Sequence, residues 1–90
     1  MKRYLIKYKG IVQGVGFRYS IYQLAYKYNI VGYIENLSDG SVEVEAQGEN
    51  ANLDEFLKES LHLRGFIQIE DYAVKDIPVD EYDKTFIVYY

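Results

Sequence analysis

Ninety residues, 49% hydrophobic and 27% charged, have room for one hydrophobic core and exclude multidomain, repeat, disordered and membrane-embedded architectures. The absence of cysteine removes disulfide frameworks, thiolate zinc sites, iron–sulfur clusters and cysteine nucleophiles together. The net charge of −4 is polarised: Lys2, Arg3, Lys7, Lys9, Arg18 and Lys27 precede Glu35 with no acid among them, while all 14 acids and four bases lie from Glu35 onward.

From Tyr4 to Val12, Tyr4, Ile6, Tyr8 and Val12 share one parity and lysines the other, the alternation of a half-buried strand. Gln13-Gly14-Val15-Gly16 breaks that pattern and predicts a tight, open loop. From Phe17 the apolar positions Phe17, Ile21, Leu24, Ala25 and Tyr28 recur by threes and fours, predicting a helix that runs to about Asn29. Ile30 to Leu37 and Ser41 to Gln47 read as strands joined by an Asp39-Gly40 hairpin turn. A second helix is expected with Asn52 as N-cap and Glu55 three residues on, carrying Leu53, Phe56, Leu57, Ser60 and Leu61 and ending near Arg64-Gly65. Phe66 to Val74 and Thr85 to Tyr90 are β-compatible, with the acidic stretch from Lys75 to Lys84 expected as a loop around Pro78. Helices and strands with one apolar face each satisfy burial when both helices pack on one side of one sheet. The expected fold is an α+β, ferredoxin-like βαββαβ two-layer sandwich, mainly antiparallel, with an additional C-terminal strand and a single domain over 1–90.

The informative stretch is Gly10-Ile11-Val12-Gln13-Gly14-Val15-Gly16-Phe17-Arg18. A glycine loop between a strand and a helix turns successive backbone NH groups toward one point at the positive end of the helix dipole, where an oxyanion binds. Arg18 enters the helix there, and its planar guanidinium suits two phosphate oxygens. No Gly-Lys-Ser/Thr follows, and Tyr19 occupies the third glycine position of the dinucleotide fingerprint, so neither nucleotide motif fits. From spacing alone, a glycine turn beside a solvated arginine explains the pattern equally well.

Gly10-x-Val12-Gln13-Gly14-Val15-x-Phe17-Arg18, with Ala25 in the following helix, resembles the signature of the acylphosphatases, and Gly32-Tyr33-Ile34-x-Asn36-x-x-Asp39-Gly40-x-Val42-Glu43 resembles their second signature. The resemblance implies hydrolysis of the carboxyl–phosphate anhydride of an acyl phosphate to a carboxylate and inorganic phosphate. It carries phosphate binding onto the loop Gln13, Gly14, Val15, Gly16, Phe17 and Arg18, and places Arg18 and Asn36 as catalytic residues, Asn36 positioning water. Asn29 stands where the family usually has glycine, and Gly65-Phe66 where Gly-Pro is common. On local pattern alone Asn36 is a strand-end asparagine that stabilises the Asp39-Gly40 hairpin. The alternative to an enzyme is a non-catalytic anion-binding module built on the same cradle.

The partners expected are a small acyl phosphate and inorganic phosphate as product and competitive ligand, with no cofactor and no metal. The acidic remainder repels a long nucleic acid, although polarised charges arise equally where opposite signs merely neighbour one another in the fold. RNA stacking is disfavoured because the third strand carries Glu43 and Glu45 rather than aromatics. Asp71, Asp76, Asp80, Glu81 and Asp83 read as a solvated surface, and His62 as a solvated histidine off the apolar face. Lys7 and Lys9 interrupt any signal-peptide core, so a cytoplasmic protein with no membrane contact is expected; a monomer is expected as well. Tyr19, Tyr22 and Tyr26 form a helical stripe of unassigned purpose.

Overall fold

The computed structural model describes residues 1–90 as β1 (Lys2–Ile11), α1 (Phe17–Lys27), β2 (Val31–Asn36), β3 (Val42–Gly48), α2 (Asn50–Ser60), β4 (Gln68–Ile77) and β5 (Phe86–Val88). The strands lie in one sheet in the order β4-β1-β3-β2-β5, antiparallel throughout except for the parallel β2–β5 pair. Each helix connects two parallel strands with a third inserted between them, the split βαβ unit of the ferredoxin-like arrangement. No helix is long and apolar enough to cross a membrane.

The alternation in β1 does what its period requires. Tyr4, Ile6 and Tyr8 stand opposite Ala46, Val44 and Val42 of β3, and Ile34 of β2 joins Val44 on that face. Against it pack Phe17, Ile21 and Ala25 of α1 and Leu53 and Phe56 of α2, all buried. Tyr8 meets Phe17 edge to face at 5.0 Å. Its hydroxyl lies 2.7 Å from Ser60 Oγ, which donates to Leu57 O at 2.6 Å, so the polar ends of two core residues are satisfied internally. Burial pushes the Tyr8 phenol well above its ordinary value, with the Ser60 contact opposing the shift.

Several boundaries differ from the pattern-based expectation. α1 stops at Lys27, and Asn29 takes the left-handed conformation (φ 55°) that the family's usual glycine adopts easily. α2 begins at Asn50 behind Glu49, not at an Asn52 cap. No side chain caps it, and burial of Leu53 and Phe56 against the sheet fixes the helix instead. It ends at Ser60, where i to i+3 bonds from Leu61 and His62 tighten the last turn ahead of Gly65. β4 runs on through Lys75, Asp76 and Ile77, expected as loop, because the long β1 offers Leu5, Tyr4 and Arg3 as ladder partners.

The remaining connection, from Pro78 to Thr85, is tied to the sheet by Arg3. This buried guanidinium donates to Glu45 Oε1 and Asp83 Oδ2, each at 2.9 Å, and to Gln47 Oε1 at 3.2 Å. Gln47 in turn accepts from Asp80 N at 2.8 Å and donates to Asp80 O at 2.9 Å. So held, the chain delivers β5 to the edge of β2, with Ile34 opposite Val88. β1, β2 and β5 are mutually parallel, and their C-terminal ends meet the N-terminus of α1.

Candidate active site

The loop after β1 alternates in backbone sense: Gly14 (φ 74°) and Gly16 (φ 81°) are left-handed, with Val15 between them at negative φ and helical Phe17 following. Such alternation forms a nest of NH groups facing one concavity. A Cβ at either glycine would meet nothing within 4 Å, so glycine is needed for the dihedral and not for room. Gly16 is the N-cap of α1 and offers no side chain to the helix NH groups. The amides of residues 13 to 19 make no hydrogen bond to any other group of the chain, although Ser20 N closes the first helical turn on Gly16 O at 3.1 Å. These converging donors at the positive end of a helix dipole are suited to an oxyanion.

Val12, Gly14, Gly16, Phe17, Arg18, Tyr19, Tyr22, Asn36, Val88 and Tyr90 line one cavity of about 480 Å³ at this point. The two residues proposed from the separate motifs therefore share a wall. Arg18 donates from Nη1 to Tyr89 O at 2.8 Å, and the Tyr90 ring lies 4.9 Å from its guanidinium carbon. No carboxylate pairs with Arg18, and its Nε and Nη2 have no partner in the chain. Of the other five bases of the first third, Arg3, Lys7 and Lys27 each meet an acid from the remainder, and Lys2 and Lys9 do not. Charge polarisation thus resolves in part into neighbouring pairs, and of the unpaired bases Arg18 is the one that lines this cavity.

Asn36 closes β2, and its Oδ1 is buried without a donor. An orphaned buried acceptor costs about 1–3 kcal/mol. Its Nδ2 has no hydrogen-bond partner in the chain either, and the residue borders the cavity. Asn36 makes no hydrogen bond to the hairpin. That turn is braced by Asp39, which accepts from Ser41 N at 3.0 Å and from Ser41 Oγ, and faces Lys7 at 3.2 Å. These contacts, first the Ser41 hydroxyl, then the Ser41 amide and Lys7, hold the Asp39 carboxyl far below the ordinary carboxylate range.

Among the loop residues, Gln13 and Val15 place their side chains elsewhere. Gln13 Nε2 donates to Leu37 O and Ser41 O, both at 2.9 Å, tying the loop to the hairpin behind Asn36. Val15 packs against the core. The lining contributed by Val88 and Tyr90, and the Tyr89 carbonyl that meets Arg18, had no signal in the sequence, since nothing local marks which strand end will reach Arg18. Tyr22 did have one: it lies one turn beyond Arg18 at i+4.

The acylphosphatase family model matches residues 4–88 of this chain. The chain belongs to the acylphosphatase family. An acylphosphatase of Clostridium acetobutylicum is 47% identical over the full chain and 99% of its own length. The crystal structure of the Bacillus subtilis acylphosphatase superposes with a TM-score of 0.94 at 33% identity, covering all of both chains. Full-length HypF in its phosphate- and nucleotide-bound form is similar over 98% of this chain and 12% of its own, with a TM-score of 0.89 and 31% identity. As an acylphosphatase, the protein is a hydrolase of acyl phosphates, small-molecule substrates.

Proposed function

We propose that the loop amides from Gln13 to Arg18, together with the Arg18 guanidinium, bind the phosphoryl group of the acyl phosphate, and that Asn36 orients the attacking water. The observation that carries this reading is the shared cavity: unpaired loop donors, an arginine without a carboxylate, and an unpartnered carboxamide all border it.

The Nε and Nη2 edge of Arg18 is open to two phosphate oxygens while Nη1 stays on Tyr89 O, so the fork is held in place before substrate arrives. The leaving group is a carboxylate, whose low basicity removes the need for a general acid. What the reaction requires is positioning and charge stabilisation around the transferring phosphoryl group. Asn36 is neutral and cannot act as a strong base; its NH2 donates to a lone pair of the water and leaves another aimed at phosphorus. The water oxygen bonds to phosphorus, the phosphorus–acyl oxygen bond breaks with its electron pair leaving on the carboxylate, one water proton stays on the attacking oxygen, and the other passes to a phosphate oxygen. Inorganic phosphate occupies the same cradle as product and competes with substrate.

The test uses benzoyl phosphate in the presence of EDTA. The wild-type protein hydrolyses it, and Asn36→Ala lowers kcat by about 10²-fold while the inhibition constant of inorganic phosphate stays within about twofold. Phosphate binding with no hydrolysis by the wild type would instead favour an anion-binding module. A rise in the phosphate inhibition constant at unchanged turnover would move Asn36 from water to phosphate.

A further inference from the structure

We propose that an aromatic wall formed by Tyr19 and Tyr22 of α1 and by Tyr90 selects the acyl group, favouring flat, uncharged acyl groups over short ones that carry a second anion. The inference rests on the acyl phosphate reading and specifies the half of the substrate which that reading leaves open.

The cavity extends well beyond what a phosphate ion fills, and beyond the loop and Arg18 its lining is mainly aromatic and aliphatic. Arg18 and Tyr22 are four residues apart on one helix, and Tyr19 is three before Tyr22, so the wall begins directly beside the phosphate-binding end. Tyr90 borders the same cavity with its ring 4.9 Å from the Arg18 guanidinium carbon. Tyr19 is held, because its hydroxyl accepts from Gln23 Nε2 at 3.0 Å. These rings are exposed in the free protein: Tyr19 to 66% and Tyr22 to 45%. Exposed rings grouped around a polar anchor gain by covering one another or a flat ligand, and here the space between them is open.

Charge points the same way. Arg18 is the single charged side chain of this lining, and phosphate already engages it. A second carboxylate or phosphate on a short acyl group would lie against tyrosine rings with no cation to meet it. Lys84 belongs to the next groove, beyond Tyr22. One-ended apolar recognition beside one charged anchor is the usual way a small-molecule site separates orientation from selectivity.

The experiment measures binding of three phosphonates in which CH2 replaces the bridging oxygen of benzoyl, acetyl and succinyl phosphate, by calorimetry on the full chain. The benzoyl analogue is expected to bind about five- to tenfold more tightly than the acetyl analogue, and the succinyl analogue no more tightly than the acetyl one. Tyr22→Ala and Tyr19→Ala should each cut the benzoyl preference by about threefold or more, and Tyr22→Phe should keep it. Dissociation constants within about twofold of one another across the three ligands, or a preference untouched by both alanine variants, overturn the proposal. Turnover of benzoyl phosphate is followed in parallel. Hydrolysis with indiscriminate binding overturns the aromatic wall alone, whereas discriminating binding without hydrolysis supports the wall and removes the assigned catalytic roles.

Discussion

Arg3 and Arg18 sit in the same positively charged first third of the chain, and the fold treats them in opposite ways. Arg3 is 7% exposed and is met by Glu45, Asp83 and Gln47, so its charge is neutralised where it lies and serves to fasten the Pro78 to Thr85 connection. Arg18 meets no carboxylate; a backbone carbonyl and a tyrosine ring hold its plane without cancelling its charge. A buried guanidinium has to be paired, because an unpaired charge out of water costs several kcal/mol. One at the mouth of a cavity beside unpaired amides keeps its field available for an incoming anion. Arg3 fastens the connection that leads into β5, and Tyr89, just after β5, offers its carbonyl to Arg18.

The contrast breaks most readily at Arg18. Arg18→Lys preserves the charge and loses the fork, and kcat/KM for benzoyl phosphate is expected to fall by at least about 10²-fold, with little change in the urea midpoint. Near-normal kinetics would mean that charge alone suffices there. Arg3→Met should give the reverse pattern. It leaves Glu45 and Asp83 without their cation and is expected to cost about 3 kcal/mol in urea unfolding, while the folded variant retains most of its turnover. A loss of turnover without a loss of stability would show that Arg3 acts on the site and not on the frame.

The smallest effect is expected at Asp39, the acid of the exposed Lys7 pair. Its carboxyl is depressed in the folded state, so the stabilisation it provides is fully present above the unfolded value of about 3.9 and is lost as pH falls below it. Asp39→Asn should therefore flatten the acid side of the stability profile, read as a smaller difference in urea midpoint between about pH 5 and about pH 2.5. An unchanged acid limb would show that the Ser41 contacts do not hold the ionised form in solution.

Period and punctuation determined much of this protein by themselves. The parity of Tyr4, Ile6 and Tyr8, the helical recurrence of Phe17, Ile21 and Ala25, and the Asp39-Gly40 turn are written within a few neighbouring residues, where local sterics and burial of one face decide the outcome. Gly14 and Gly16 likewise marked a turn, because positive φ is a local demand. Element ends were less legible: Asn52 and Glu55 carry a capping pattern that the helix does not use, and Lys75 to Ile77 become strand because β1 lies alongside. What only the tertiary structure decided is which distant groups meet. That Asn36 faces the same cavity as Arg18, that Gln13 braces the hairpin, and that Tyr89 and Tyr90 flank the guanidinium all follow from sheet order and strand register, and those are settled by packing across the whole chain.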